Sequence, residues 1–156
     1  IEGSRTFVVE IQALVVPAKS GYQRIYSDRI DSSRVNRIAA ILERHAGLNL
    51  SDQDIYINVA GGVRLSEGSI DLAIALALYS SRSNTPLPVS VASFGELSLA
   101  GEIRPVSFQD KRLKALSERG FDRCITSCNI SSNIQNIEIS KASNIKNGII
   151  GAFRKK

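Results

Sequence analysis

Apolar and polar positions in the first part of the chain predict three strands. Residues 6–16 (TFVVEIQALVV) are rich in β-branched side chains and end at Pro17, which predicts a long buried strand. A short strand at residues 23–27 is expected to pair with it. Residues 54–59 alternate apolar and polar side chains and run into Gly61 and Gly62, which predicts a third strand closed by a turn.

The spacing of apolar residues predicts two helices in the first half of the chain. One follows the N-cap residues Asp31, Ser32 and Ser33 and ends at Gly47, with an inner face formed by Val35, Ile38, Ala39, Ile41 and Leu42. The other covers residues 69–79 and has almost no polar side chain in its middle. Because a helix that is apolar on every side must be covered by protein, this second helix is expected at the centre of the core.

The second half predicts a hairpin, a strand and two more helices. Residues 97–106 (LSLAGEIRPV) alternate around Gly101, as in a hairpin. Residues 111–119 form a basic helix closed by Gly120, and residues 121–126 read as a strand. Residues 143–153 predict a helix with an inner stripe of Ile145, Ile149, Ile150 and Phe153. The pattern predicts a single α+β domain over residues 1–156, a mixed sheet with packed helices.

Composition narrows the function classes. The chain has 156 residues, 43% of them apolar, which suffices for one compact core. No run approaches a membrane span and no signal-peptide core is present near residue 1, so a cytoplasmic location is expected. Cys124 and Cys128 have no second pair to complete a zinc site, so free thiols are expected. His45 has no second ligand or nucleophile within sequence reach.

Two sequence motifs of known enzymes are incomplete or missing in this chain. Residues 62–69 (GVRLSEGS) suggest a phosphate loop, but position 67 is Glu and no lysine follows Gly68, so ATP is not expected to bind here. No G-x-S-x-G motif occurs, and a single histidine leaves little material for a Ser-His-Asp triad.

Several segments, taken in order, resemble the C-terminal domain of the RadA (Sms) family of bacterial DNA repair and recombination ATPases. They are EGSRTFVVEIQALV, RIDSSRVNRIAAILERHAGLNL, DIYINVAGGVRL with DLAIALA, and FGELSLAGEIRPVS with the RLK that follows. The resemblance implies the fold of the Lon proteolytic domain, a ribosomal-protein-like α/β sandwich shared with a domain of the magnesium-chelatase subunits. It also implies that the ATPase and zinc-finger parts of such a protein, with their ATP, magnesium and zinc, lie outside this chain.

Comparison with the Lon peptidase makes Ser69 a candidate nucleophile. The peptidase's Gly-Pro-Ser-Ala-Gly turn falls on residues 67–71, where RadA proteins usually have alanine in place of the serine. The peptidase's lysine falls on Asp110, counted from Pro105, and a carboxylate is a weak base for an alcohol. Lys114, one turn along the same helix face, is the expected substitute if any exists. The alternative role for Ser69 is a helix N-cap, with Asp71 in the first turn.

The resemblance implies a non-proteolytic domain that acts in hexamer assembly and DNA binding during recombinational repair and branch migration. Its implied partners are single-stranded or branched DNA, further copies of itself in a homo-hexamer, and a recombinase; no cofactor or metal is expected in the domain itself. The net charge of +5 is carried mainly by arginine, whose planar fork suits phosphate. The candidate DNA contacts are Arg24, Arg34, Arg37, Arg64, Arg104, Arg112 and Lys114.

Two other functions stay open at this point. The first is a residual Lon-type serine peptidase that uses Ser69. The second is a structural ring-former that never touches DNA. With four tyrosines, five phenylalanines and no tryptophan, several of them expected in strand cores, base stacking is poorly supported by the sequence.

Overall fold

A computed structural model describes residues 1–131 and 133–155. The described part of the chain is α+β, and its elements follow in order: β1 Ile11–Pro17, β2 Ile25–Tyr26, α1 Ser32–Ala46, β3 Gln53–Val59, α2 Asp71–Ser83, β4 Val91–Ser93, β5 Glu96–Leu97, β6 Ile103–Arg104, α3 Gln109–Glu118, β7 Arg123–Ser127, β8 Glu138–Ala142 and α4 Ile145–Phe153. The predicted elements are all present, with ends displaced by one to a few residues. The predicted first strand is the most shortened, since pairing begins only at Ile11.

The first sheet has the strand order β1-β3-β2. Strand β1 runs antiparallel to β3, and β2 runs parallel to β3 with Ile25 opposite Ile55. The predicted pairing of β2 with β1 is wrong, because β3 lies between them and bonds to both. Local spacing predicts each strand, but the order of strands depends on contacts between distant parts of the chain.

The second sheet is parallel, in the order β4-β7-β8, and the antiparallel β5-β6 hairpin forms a separate two-stranded sheet. Strand β7 is buried throughout. Strand β8 was not predicted, because its polar residues alternate weakly and its surroundings are rich in Asn, Ser and Ile. The hairpin has Gly101 at its tip with φ of 78°, as its sequence predicted.

Helices α1 and α2 pack together on the inner face of the first sheet. Asp31 caps α1 by accepting a hydrogen bond from the Ser33 amide at 2.9 Å, and Gly47 ends it with φ of 66°. Both caps and the predicted inner face of α1 are confirmed. Helix α2 carries fully buried Leu72, Ile74 and Leu78, as expected for the centre of the core.

Helix α4 covers part of the second sheet and also touches α1 and α2. Ile145 and Ile149 are buried as predicted, but Ile150 is exposed and Ala152 takes the inner position. Successive residues of a helix point 100° apart, so Ile150 is turned away from the buried Ile149 and faces solvent. Both cysteines are free thiols, as predicted, with Cys124 buried and Cys128 exposed.

Candidate functional site

Ser69 lies in a single 3₁₀ turn, Gly68–Ile70, that leads directly into α2. It is buried, with 8% of its surface exposed. Its hydroxyl donates a hydrogen bond to Glu67 Oε2 at 2.7 Å and accepts one from Arg112 Nη1 at 3.2 Å. Ile70 holds the N-cap position of α2. The N-cap role predicted for Ser69 is therefore wrong, because the 3₁₀ turn comes before the helix and directs the hydroxyl to Glu67.

Arg112 is the cation that contacts Ser69. Its guanidinium also donates to Glu67 Oε2 at 2.9 Å and to the Ser107 carbonyl at 2.9 Å. Its side chain is 13% exposed, whereas the Lys114 side chain is 73% exposed and lies 3.9 Å from Glu118. Lys114 thus points along the solvent side of α3, and the side chain beside the hydroxyl is an arginine.

Glu67 completes this group, which we call the Ser69 cluster (Glu67, Ser69 and Arg112). Partial burial of the carboxyl raises its pKa, but hydrogen bonds from the amino group of Ile1, from Ser69 and from Arg112 outweigh that effect and lower the pKa to about 2. Sequence reasoning did not single out Glu67. Its only signal was its place two residues before a serine in a nucleophile-like turn. In this cluster the carboxylate of Glu67 and the guanidinium of Arg112 form an ion pair with each other.

A second ion-pair group surrounds Asp71, which is fully buried. Its carboxylate lies 2.6 Å from Arg34 Nη1 and 3.7 Å from Arg37 Nη2, and it accepts a hydrogen bond from the Leu97 amide at 3.1 Å. Arg34 also donates to the Ser66 carbonyl at 3.2 Å. Asp71 therefore ties α1, α2 and β5 together, and it is not only a first-turn charge at the start of α2.

The structure separates the predicted DNA contacts into two sets. Arg34 and Arg112 hold buried or half-buried carboxylates, and Arg37, whose side chain is 44% exposed, lies 3.7 Å from the buried carboxylate of Asp71. The other four side chains are exposed: Arg24, Arg64, Arg104 and Lys114. Arg64 is 3.4 Å from the Asp28 carbonyl, and Arg104 is 3.6 Å from Glu102, so their guanidinium groups are only lightly engaged. All seven remain predictions as DNA contacts.

Asp110 lies in the first turn of α3, close to the helix start. His45 is a structural residue, since its Nε2 lies 2.9 Å from the Leu99 carbonyl and its ring packs against Gly101. Within residues 1–131 and 133–155, no group of three or more His, Cys, Asp or Glu side chains could hold a metal ion. Among the helices of the described residues, none has the length and apolarity needed to cross a membrane.

Fold and site together define a small α+β domain in which a serine at a turn before a buried helix is held by an ion pair. The family model described as "Subunit ChlI of Mg-chelatase" matches residues 26–129. The chain is 60% identical over 120 residues to the DNA repair protein RadA of Treponema pallidum, which covers 77% of this chain and 26% of that protein.

Two further relatives carry the same name. The DNA repair protein RadA of Haemophilus influenzae is 46% identical over 124 residues, covering 80% of this chain and 27% of the relative. That of Rickettsia bellii is 38% identical over 146 residues, covering 94% of this chain and 32% of the relative. The chain belongs to the RadA family of DNA repair proteins, and its ChlI-like region is consistent with their C-terminal part. It spans between 26% and 32% of the length of these relatives.

Proposed function

We propose that this chain is a non-proteolytic, Lon-like domain of a DNA repair protein, which acts in hexamer assembly and DNA binding during recombinational repair and branch migration. Membership of the RadA family supports the repair role. Other copies of the chain and a recombinase are its proposed partners in the cytoplasm. ATP hydrolysis, with magnesium, and zinc binding are proposed for other parts of such a protein.

The observation that carries the non-proteolytic part is the contact between Arg112 and Ser69, at 3.2 Å. A Ser-Lys dyad needs an amine that can lose its proton and then take the proton of the serine hydroxyl. A guanidinium remains protonated in proteins, so Arg112 cannot do this. Glu67 accepts a hydrogen bond from the hydroxyl, but this carboxylate also accepts one from Arg112, and a carboxylate is a weak base for an alcohol.

The DNA-binding part is supported by the exposed cations. Arg24, Arg64, Arg104 and Lys114 are spread over the surface, and their charges are not used to hold buried carboxylates. Sequence-independent binding to phosphates requires cations of this kind. Arg34 and Arg112 are weaker choices for a test, because replacing either would leave an internal carboxylate without its partner.

The test is the affinity of the chain for forked DNA, measured by fluorescence anisotropy over a series of salt concentrations. In an Arg24→Ala, Arg64→Ala, Arg104→Ala triple variant, the slope of log K against log salt should become shallower by about 2 to 3, because each lost phosphate contact removes a little under one unit. The matched control removes three exposed charges that are not candidates, in an Arg119→Ala, Lys146→Ala, Lys155→Ala variant.

Equal slopes for the two triple variants would remove these arginines as phosphate contacts. If the wild-type chain forms a ring in sedimentation but binds no DNA at low salt, the domain is a structural ring-former and the DNA-binding part of the proposal is wrong.

A further inference from the structure

Two tyrosines stand stacked on the outer face of the first sheet. Tyr26 on β2 and Tyr56 on β3 are register partners, with ring centroids 4.6 Å apart and ring planes 13° apart. They are 44% and 41% exposed. Ile25 and Ile55 take the inward positions, so the alternation of side chains along each strand turns both tyrosines outward.

The stack has one open end. Leu14 on β1 is the register partner of Tyr56 and is also exposed, so a row of Leu14, Tyr56 and Tyr26 crosses the sheet. Strand β2 is the edge strand in the order β1-β3-β2, so no strand formed by the described residues lies beyond Tyr26. The free ring face of the row is therefore the outer face of Tyr26, and Tyr56 and Leu14 support it from behind.

Positive charge lies at both ends of this edge. Arg24 precedes Tyr26 by two positions and shares its outward direction. On the other side, Arg64 Nη2 lies 3.4 Å from the carbonyl of Asp28, two positions after Tyr26. Three acids lie nearby: the Asp28 carboxylate faces Arg29 at 3.6 Å, and Asp54 is buried and accepts from the Arg24 amide. The third, Asp31, accepts from the Ser33 amide and also lies within electrostatic range of Arg64.

We propose that an unpaired base of single-stranded DNA stacks on the outer face of Tyr26, with the phosphates on either side of that base directed to Arg24 and Arg64. This inference rests on the proposed function, and adds to it a base contact and a preference for single strands. A base paired within a duplex has both faces covered by its neighbours, whereas an unpaired base can extend an aromatic stack regardless of its identity.

The probe is a labelled oligothymidylate, compared with an abasic strand of the same length and with a duplex. Tyr26→Ala should weaken oligothymidylate binding by about 5- to 150-fold, the usual range for losing one stacked base. Its salt slope should match that of the wild type, because no phosphate contact is lost. The abasic strand should bind the wild type and Tyr26→Ala equally well.

Two controls separate stacking from a loss of structure. Tyr26→Phe keeps the ring and should bind as the wild type does. Tyr22→Ala removes another exposed tyrosine, one that lies beside α1 and not in the stacked row, and should also bind normally. Because the chain has no tryptophan, its emission comes from its four tyrosines, and the difference between wild type and Tyr26→Phe isolates the contribution of Tyr26. Oligothymidylate should quench the wild type more than Tyr26→Phe.

The outcomes distinguish a failure of this inference from a failure of the proposed DNA binding on which it rests. If the wild type binds no strand at any salt concentration, DNA binding itself is wrong. If it binds with a normal salt slope but Tyr26→Ala is unchanged, only the base contact is wrong. If Tyr26→Ala changes the sedimentation coefficient and not the DNA affinity, the face is covered by a second copy of the chain and the inference is overturned.

Discussion

The guanidinium of Arg112 lies 3.2 Å from the hydroxyl oxygen of Ser69 and 2.9 Å from a carboxylate oxygen of Glu67. The contact joins α3 to the turn that precedes α2, two segments 43 positions apart in the chain. The serine therefore belongs to an internal ion pair between two elements of the fold.

Replacing Glu67 by Gln should reduce stability in a pH-dependent way. The pKa of this carboxyl is lowered from 4.5 to about 2 in the folded chain, so its ionised form stabilises the fold above about pH 4.5, and that contribution is lost as the pH falls towards 2. The difference in free energy of unfolding between wild type and Glu67→Gln should thus be largest at neutral pH and shrink below pH 4.5. Urea denaturation at several pH values measures it, and a difference independent of pH would contradict the assignment.

Removing Arg34 should destabilise the fold much more than removing an exposed arginine. Arg34→Met leaves the buried Asp71 carboxylate with the Leu97 amide and the more distant Arg37, and breaking a buried ion pair in this way costs about 3 kcal/mol. Arg104→Met is the matched control, because Arg104 is exposed and its loss should change the free energy of unfolding by at most about 0.5 kcal/mol. Chemical denaturation of both variants compares them, and equal losses would show that the Asp71 ion pair does not stabilise the fold.

A side chain at Gly101 should be unfavourable for two separable reasons. The residue has φ of 78°, and an added Cβ would lie 2.8 Å from the His45 ring. Gly120 has φ of 82° and open space around it, so Gly120→Ala carries only the conformational penalty, about 1–2 kcal/mol. Gly101→Ala should lose a further amount of about 1–3 kcal/mol through overpacking.

A His45→Ala background tests the steric part of that prediction. Removing the ring should lower the cost of Gly101→Ala towards that of Gly120→Ala, as measured by a double-mutant cycle in urea; the Cβ of residue 45, 3.0 Å from the added Cβ, stays in place and keeps part of the cost. An unchanged cost in that background would mean that the ring gives way and that backbone conformation alone accounts for the loss.

The sequence predicts the local elements of this fold well where periodicity and caps agree. Helix α1 is the clearest case, because Asp31, Gly47 and the apolar spacing all mark the same segment. Strand β8 was missed because its segment lacks both clear alternation and a closing turn signal. The partner of β2 was wrong because strand order is set by tertiary packing, which a single segment does not contain.

The candidate site was harder to predict from the sequence. Comparison with the peptidase motif pointed to Asp110 or Lys114 as the partner of Ser69. The contact with Ser69 is instead made by Arg112, which lies two residues after Asp110 and two before Lys114. Tertiary packing decides which side of α3 faces the turn that carries Ser69. The guanidinium of Arg112 is held there because it lies 6.0 Å from the Phe94 ring and donates to the Ser107 carbonyl. Likewise, nothing local to Arg34 or Arg37 indicates that both meet a buried carboxylate 34 or more positions away.

The most direct test of the central claim is covalent labelling of Ser69 by a fluorophosphonate, detected by mass spectrometry of the intact chain. Wild type and Ser69→Ala are treated side by side with an active serine hydrolase as positive control, and hydrolysis of an unfolded polypeptide is followed in parallel. We predict no adduct and no hydrolysis in either form of the chain, because the hydroxyl is buried and its two partners are a guanidinium, which cannot take up a proton, and a carboxylate, which is a weak base for an alcohol. An adduct on Ser69 that is absent from Ser69→Ala, accompanied by peptide hydrolysis, would contradict the account.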